Sequence, residues 1–207
     1  WWGYGRFEEG EGLLEGRGHK FVGFADDCNV YVRSPKAGER VLQALRGCYA
    51  KLALKVNESK TAVAEVWGRK FLGYRLLRRG DGRIQLGVAH QSLHSLKERL
   101  RRLTRVTVGR SLEQVAQDLS RLVPGWRAYF AQAQTPDTFV KLDRWLRTRL
   151  RVLRLRQWRR ASRIYKEMRA LGATDKLARS VATLRRGWWG SAATGLRRVL
   201  TVSFFDG

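Results

Sequence analysis

Negative charge is what this sequence has least of. Its 207 residues carry 18 Asp and Glu against 42 Lys and Arg, a formal net charge of +24, with an isoelectric point near 11.3. A surplus of that size points to a polyanionic partner, nucleic acid before a membrane surface. It is also uneven. Residues 1–89 hold 16 basic against 10 acidic side chains, and residues 90–207 hold 26 against 8, so the second half is the electrostatic footprint. Cysteine is nearly absent as well. Cys28 and Cys48 are too few for a disulfide framework or a four-cysteine zinc module, and two reduced, buried thiols in the cytoplasm are expected. The three histidines, His19, His90 and His94, are too scattered to make a metal site. No run of about 18 apolar residues and no charged-apolar-small leader occurs, so neither a membrane partner nor export is expected. The chain opens on Trp1 and has one methionine, Met168, far inside, so its natural N-terminus is expected to be missing.

The rest of the composition suits a folded protein. Hydrophobic residues make up 43% and aromatics 11%, enough for a packed core, over a length that fits one large domain or two small ones. Residues 1–18 are Gly-rich and locally acidic, and specify little. Two β-type runs, Lys20 to Phe24 and Asn29 to Val32, flank Asp26 and Asp27 and read as a hairpin. Ser34-Pro35 opens a helix expected from Ala37 to Lys51, on apolar positions Val41, Leu42, Leu45, Tyr49 and Leu52. Leu54 to Asn57, Thr61 to Ala64 and Lys70 to Leu76 have strand character. Arg79-Gly80-Asp81-Gly82 then turns the chain into a return strand from Arg83 to Val88. The first half is therefore α+β.

Beyond Ala89 the periodicity is helical. Leu93, Leu96, Leu100 and Leu103 form one apolar stripe, with Lys97, Arg101, Arg102 and Arg105 on other faces. Ser111 and Gln114 have capping-box spacing for a helix burying Leu112, Val115, Leu119 and Leu122. Thr135-Pro136 starts the longest helix, as a hydroxyl cap followed by Pro at the first position. Its core stripe is Phe139, Leu142, Leu146, Leu150 and Leu153, and its polar side is expected to carry Arg144, Arg147, Arg151, Arg154, Arg159 and Arg160. A further helix from Thr174 presents Leu177, Val181 and Leu184. Trp126, Tyr129 and Phe130, three and four apart, share one helical face, which serves either a bundle core or base stacking, with the core favoured.

Chemistry enters at Phe24-Ala25-Asp26-Asp27. Two carboxylates about 4 Å apart repel by roughly 4 kcal/mol at an effective dielectric near 20. They stay ionised at little cost only when a cation sits against them. Mg²⁺ suits such an all-oxygen donor set and keeps open positions for phosphates. An Asp-Asp turn that merely caps a solvated hairpin is the plain alternative on these four residues alone.

The order of motifs resolves the choice. Phe24-Ala25-Asp26-Asp27, a helix, Leu54-Lys55-Val56-Asn57-Glu58-Ser59-Lys60-Thr61 and Lys70-Phe71-Leu72-Gly73-Tyr74 together resemble the C-terminal part of a reverse-transcriptase palm. Pro124 to Phe130, Leu142 to Arg151 and Gln157 to Arg160 resemble the thumb, or maturase domain, of group II intron reverse transcriptases. The resemblance runs over roughly residues 12–205. It implies a poorly specified remnant over 1–18, the C-terminal part of the palm over 19–89 and a helical thumb/maturase domain over 90–207.

By that resemblance Asp26 is the principal Mg²⁺ ligand, and Asp27 a second ligand or a source of charge. A third Asp completes the pair in the family, and two Mg²⁺ align the DNA primer 3′-hydroxyl with the dNTP α-phosphate on an RNA template. Lys60 would neutralise departing pyrophosphate or, alternatively, compact its turn. Phe24 and Ala25 lie beside the reacting nucleotide, and Phe71, Leu72 and Gly73 lie in a primer-grip segment or anchor palm to thumb. The arginines of the long helix would bind group II intron RNA. Six neutralised phosphates would make log affinity fall with log salt at a slope on the order of 4 to 5. The resemblance places the protein in the cytoplasm of a bacterial-type cell, associated with nucleoid or ribonucleoprotein.

There are departures. Gly23 stands where the family commonly has Arg, Phe24 where Tyr is commoner, and Leu155 at a position often held by Trp. No Asp-bearing strand of the first palm motif precedes Gly10, so the expected activity, RNA-templated DNA synthesis with intron RNA binding in splicing, is not expected of this chain by itself. The alternative is an inactive maturase remnant that keeps only intron RNA binding.

Overall fold

A computed structural model describes residues 19–24, 27–105, 109–183 and 187–201, with Asp27 described by its backbone alone. The architecture is α+β. Two compact units divide between Leu72 and Gly73.

In the first unit, β1 (Lys20–Phe24) and β2 (Asp27–Tyr31) pair antiparallel, in a register from Lys20↔Tyr31 to Phe24↔Asp27. The second strand thus starts two residues earlier than the apolar run indicated, because the ladder continues until the chain must turn. Helix α1 (Pro35–Lys51) also starts early. Ser34 Oγ accepts from Ala37 N at 3.3 Å, and Pro35, with no N–H to lose, fills the first helical position. Val41 and Gly38 are its buried residues. A Cβ on Gly38 would lie 2.6 Å from Val63 Cγ1 and 3.4 Å from Val32 Cγ2, so glycine is what lets the chain around Val63 close on the helix. Cys28 Sγ sits 3.7 Å from Tyr49 Oη and ties β2 to α1. Both cysteines are free and only partly buried, not the fully buried thiols expected.

Leu54 to Asn57 and Thr61 to Ala64 form no strand. Between them the Asn57 carbonyl accepts from Lys60 N at 3.1 Å and Thr61 N at 3.0 Å, closing a tight turn. Residue type confers the capacity for extended chain, whereas a strand also needs a neighbour to complete its backbone hydrogen bonds. The expected run from Lys70 to Leu76 is likewise broken. Lys70–Phe71 (β3) and Tyr74–Arg78 (β4) are separated by Leu72 and Gly73, both in the left-handed region at φ 49° and 76°.

In the second unit, β4 pairs antiparallel with β5 (Ile84–Val88), from Tyr74↔Val88 to Arg78↔Ile84. Its turn is closed by Arg79 N donating to Arg83 O at 2.8 Å, as the Gly-Asp-Gly signature indicates. Six α-helices follow among the described residues: α2 (His90–Leu103), α3 (Leu112–Tyr129), α4 (Pro136–Trp158), α5 (Ala161–Ala170), α6 (Asp175–Ala182) and α7 (Gly187–Gly190). The capping box at Ser111 is complete, with Gln114 N to Ser111 Oγ at 3.2 Å and Ser111 N to Gln114 Oε1 at 3.0 Å. Thr174 caps α6 through Leu177 N, while Leu184, expected on the same stripe, lies outside the described residues. Thr135 does not cap α4. Its hydroxyl is buried and makes no hydrogen bond, since its backbone, at φ −119° and ψ 71°, is not in the extended conformation of a capping residue.

Two cores share α4. Leu150 and Leu153 join Leu96, Leu100, Leu112, Val115 and Leu119 of α2 and α3. Leu155 and Trp158 join a second cluster with Ile164, Met168, Val181, Leu196 and Leu200. A helix buried on two sides has little polar face left over its last two turns, and that decides where its arginines go.

Candidate nucleic-acid interface and metal hairpin

Of the two carboxylates at the hairpin, Asp27 opens β2 opposite Phe24, while Asp26, with Ala25, lies outside the described residues. The β1 strand leading to them is open to solvent, with Val22 43% and Phe24 61% exposed. Lys60 is exposed at the end of the Asn57 turn, where Ser59 Oγ also donates to Asn57 Oδ1 at 2.7 Å. Among the described residues no three His, Cys, Asp or Glu side chains come together to hold a metal ion. Two carboxylates adjacent in the chain are hard oxygen donors, a chemistry that fits a cation such as Mg²⁺.

Phe71 is partly buried, and Leu72 is more open. Gly73 is held by packing. Its carbonyl accepts from Ala89 N at 2.8 Å and from Ser92 Oγ at 3.1 Å, and a Cβ there would stand 3.0 Å from both Phe130 Cζ and Ser92 Oγ. Phe130 centres an aromatic group, with Trp126 at 4.5 Å, Tyr74 at 5.1 Å and Tyr129 at 4.9 Å between ring centres. Trp126 and Phe130 are therefore packing residues, as favoured. Tyr129 is different. It is 57% exposed, its ring lies beside Tyr74 and its carbonyl accepts from Tyr74 Oη at 2.5 Å. Helix α3 runs through Pro124 and Gly125 to reach these residues.

The six arginines expected along one polar face divide four ways. Arg151 is only 4% exposed, and its Nε and Nη2 donate to the Leu200 carbonyl at 3.0 and 2.8 Å, so it docks the C-terminal segment and does not face solvent. Burial, then Arg147 and Arg197, lower its pKa from the usual arginine range. Arg147 spans one turn to Asp143, with Nε 3.0 and 2.9 Å from the two carboxylate oxygens. Arg159 and Arg160 are not on α4. The helix ends at Trp158, Arg159 takes a positive φ of 60°, and Arg160 precedes α5. Arg144 is exposed, and Arg154 lies over the Trp158 ring at 5.8 Å.

Periodicity missed a second basic group. The Trp145 ring centre is 5.8 Å from Lys97 Nζ, 5.6 Å from Arg101 Cζ and 5.3 Å from Arg149 Cζ. Spacing of four in both pairs, Lys97 with Arg101 and Trp145 with Arg149, was the available signal. That the two pairs meet depends on how α2 and α4 pack.

Two family models match the chain. Residues 7–76 match the reverse transcriptase (RNA-dependent DNA polymerase) model, and residues 93–172 match the group II intron maturase-specific domain. The chain belongs to the group II intron reverse transcriptase/maturase family. No curated protein matches it. The reverse-transcriptase segment of this family member contains the carboxylate hairpin, α1, Lys60 and the Phe71 to Tyr74 stretch. Its maturase segment spans α2 to α5, including both groups of arginines and Trp145. Among the described residues no helix is long and apolar enough to cross a membrane.

Proposed function

We propose that this chain carries the metal hairpin of the palm and the RNA-binding thumb of a group II intron reverse transcriptase/maturase, with the palm over 19–89 and the thumb over 90–207. The observation that carries the reading is the hairpin register. Pairing of Phe24 with Asp27 brackets Ala25-Asp26 at the tip, inside the segment that matches the reverse-transcriptase model.

Asp26 and Asp27 would hold Mg²⁺, which when bound activates a primer hydroxyl and offsets charge on a transferring phosphoryl group. Phe24 and Ala25 would lie beside the reacting nucleotide, where exposed Phe24 offers an apolar surface. Lys60, exposed and charged, is available to a phosphate. Phe71, Leu72 and Gly73 form the primer-side segment, where the left-handed backbone of Gly73 admits no larger side chain without strain. The substrates are an RNA template, a DNA primer and dNTP. Intron RNA is bound by the basic helices, through Arg144, Arg154, Arg159 and Arg160, with Arg147 shared with Asp143. Arg151 keeps the thumb together.

Mn²⁺ binding, followed by electron paramagnetic resonance, and primer extension on an RNA template with Mg²⁺ test the metal half. Asp26→Ala is expected to abolish the bound Mn²⁺ signal and to lower any extension by roughly a hundredfold or more. A parent protein that binds Mn²⁺ no better than Asp26→Ala overturns the metal assignment.

A further inference from the structure

No residue of the group around Trp145 has a part in the metal hairpin or among the arginines assigned above to intron RNA. Three cations there converge on one ring. An aromatic face attracts a cation through its quadrupole, but it cannot neutralise one, and like charges gathered around a single ring repel. Among the described residues the one acid in the group is Glu98, paired with Arg101 and 3.9 Å from His94 Nε2. Two positive charges are thus left over on a surface where Arg101 and Glu98 are each nearly half exposed.

The group is also built rather than loose. Arg149 Nε donates to Thr104 Oγ1 at 2.7 Å, and that hydroxyl in turn donates to the Leu100 carbonyl at 2.7 Å. Arg149 Nη2 reaches the Arg101 carbonyl at 3.5 Å. Thr104 is buried and Leu100 fully so, which anchors the guanidinium to the α2–α4 core. Burial first, and then Arg101 and Arg156, lower the Arg149 pKa, so the surroundings already disfavour its charge. An anion placed against the group would offset that penalty, and the Arg149 guanidinium it meets is already held in place.

We propose that Lys97, Arg101 and Arg149, gathered on Trp145 between α2 and α4, form a phosphodiester-binding subsite for RNA. The inference rests on the RNA-binding reading above and adds to it a second contact surface. Nucleic acid is favoured over an anionic membrane. The cations surround one partly buried indole on two packed helices, and are not spread along the exposed face of a single amphipathic helix. A fixed guanidinium beside an aromatic plane is the arrangement that takes up phosphate together with a stacked base or sugar.

The test is fluorescence anisotropy of a fluorescein-labelled RNA hairpin with the whole chain, titrated with salt. Lys97→Gln combined with Arg101→Gln is expected to weaken binding by about tenfold for each cation and to lower the log–log salt slope by about 1 for each. Thermal unfolding should shift only slightly, because both side chains are partly exposed and the core-anchored Arg149 is left in place. Glu98→Gln is the opposing variant and should tighten binding and steepen the slope. If the parent binds RNA with a steep salt dependence while the double variant keeps both affinity and slope, the subsite is overturned and the broader reading stands. If the parent does not bind RNA at all, both fall together. Phosphatidylserine vesicles form the last arm. A double variant that loses vesicle binding but keeps RNA binding assigns the group to a membrane surface and overturns the proposal.

Discussion

Tyr49 shows how one side chain's surroundings become a property of the folded state. Its hydroxyl is removed from water and lies against the Cys28 thiol, and these effects, burial first, push its pKa up to about 12 from the ordinary tyrosine value. The fold therefore favours the neutral phenol. An unfolded chain releases that proton near pH 10, whereas the folded chain retains it until about 12. Stability from this group is complete below pH 10 and is lost as pH rises through 12. Thermal melts at stepped alkaline pH should show the parent losing more stability across that window than Tyr49→Phe, which has no phenol to ionise. Equal losses would show that the hydroxyl is solvated in the folded chain. Arg151 carries a related lesson. By spacing it belongs with Arg144 and Arg147, yet it is buried on the Leu200 carbonyl, and the deciding factor is which segment packs over that turn of α4.

At the scale of elements, helix α1 was readable from local signals. Ser34, Pro35 and the Val41 to Tyr49 spacing indicated a helix, and the helix is present, lengthened at its start because Pro35 suits the first helical turn. The strand-like runs around Val56 and Val63 were not reliable. Val63 instead packs against α1 at Gly38, and no ladder forms in either run. Gly38→Ala makes this testable. The added Cβ meets Val63 Cγ1 at 2.6 Å, and overpacking of this kind costs about 1–3 kcal/mol. Denaturant unfolding should show that loss, and Val63→Ala in the same chain should recover most of it by vacating the space. Two costs that simply add would mean that the two positions do not share a contact.

Across the whole molecule the dominant fact is the net charge of +24. Its effect on RNA binding depends on how many cations remain available after folding. With Arg151 buried and Arg147 on Asp143, the arginines assigned to RNA fall to Arg144, Arg154, Arg159 and Arg160. Four phosphate contacts give a log–log salt slope on the order of 3 to 4. The Trp145 group would raise it toward the steeper values expected from an undifferentiated row of arginines. Anisotropy titrations between low and physiological salt measure the slope directly. A nearly flat response would exclude phosphate neutralisation as the basis of binding.

Some of this was determined by the amino-acid sequence alone. The surplus of positive charge in the second half, the carboxylate pair between two β-type runs, the capping box at Ser111 and the Gly-Asp-Gly turn all act over a few residues or follow from composition. So does the ordered set of motifs that marks the family. What required tertiary structure was the fate of individual side chains. The periodicity of α4 identifies an apolar stripe, but two cores meet on that helix, and only their packing decides that Arg151 is buried and that Arg149 reaches Thr104. The same packing brings Lys97 and Arg101 of α2 to Trp145 of α4. Local spacing states which residues share a face of one helix. Which faces meet, and therefore which cations are left for RNA, is set by contacts between residues distant in the chain.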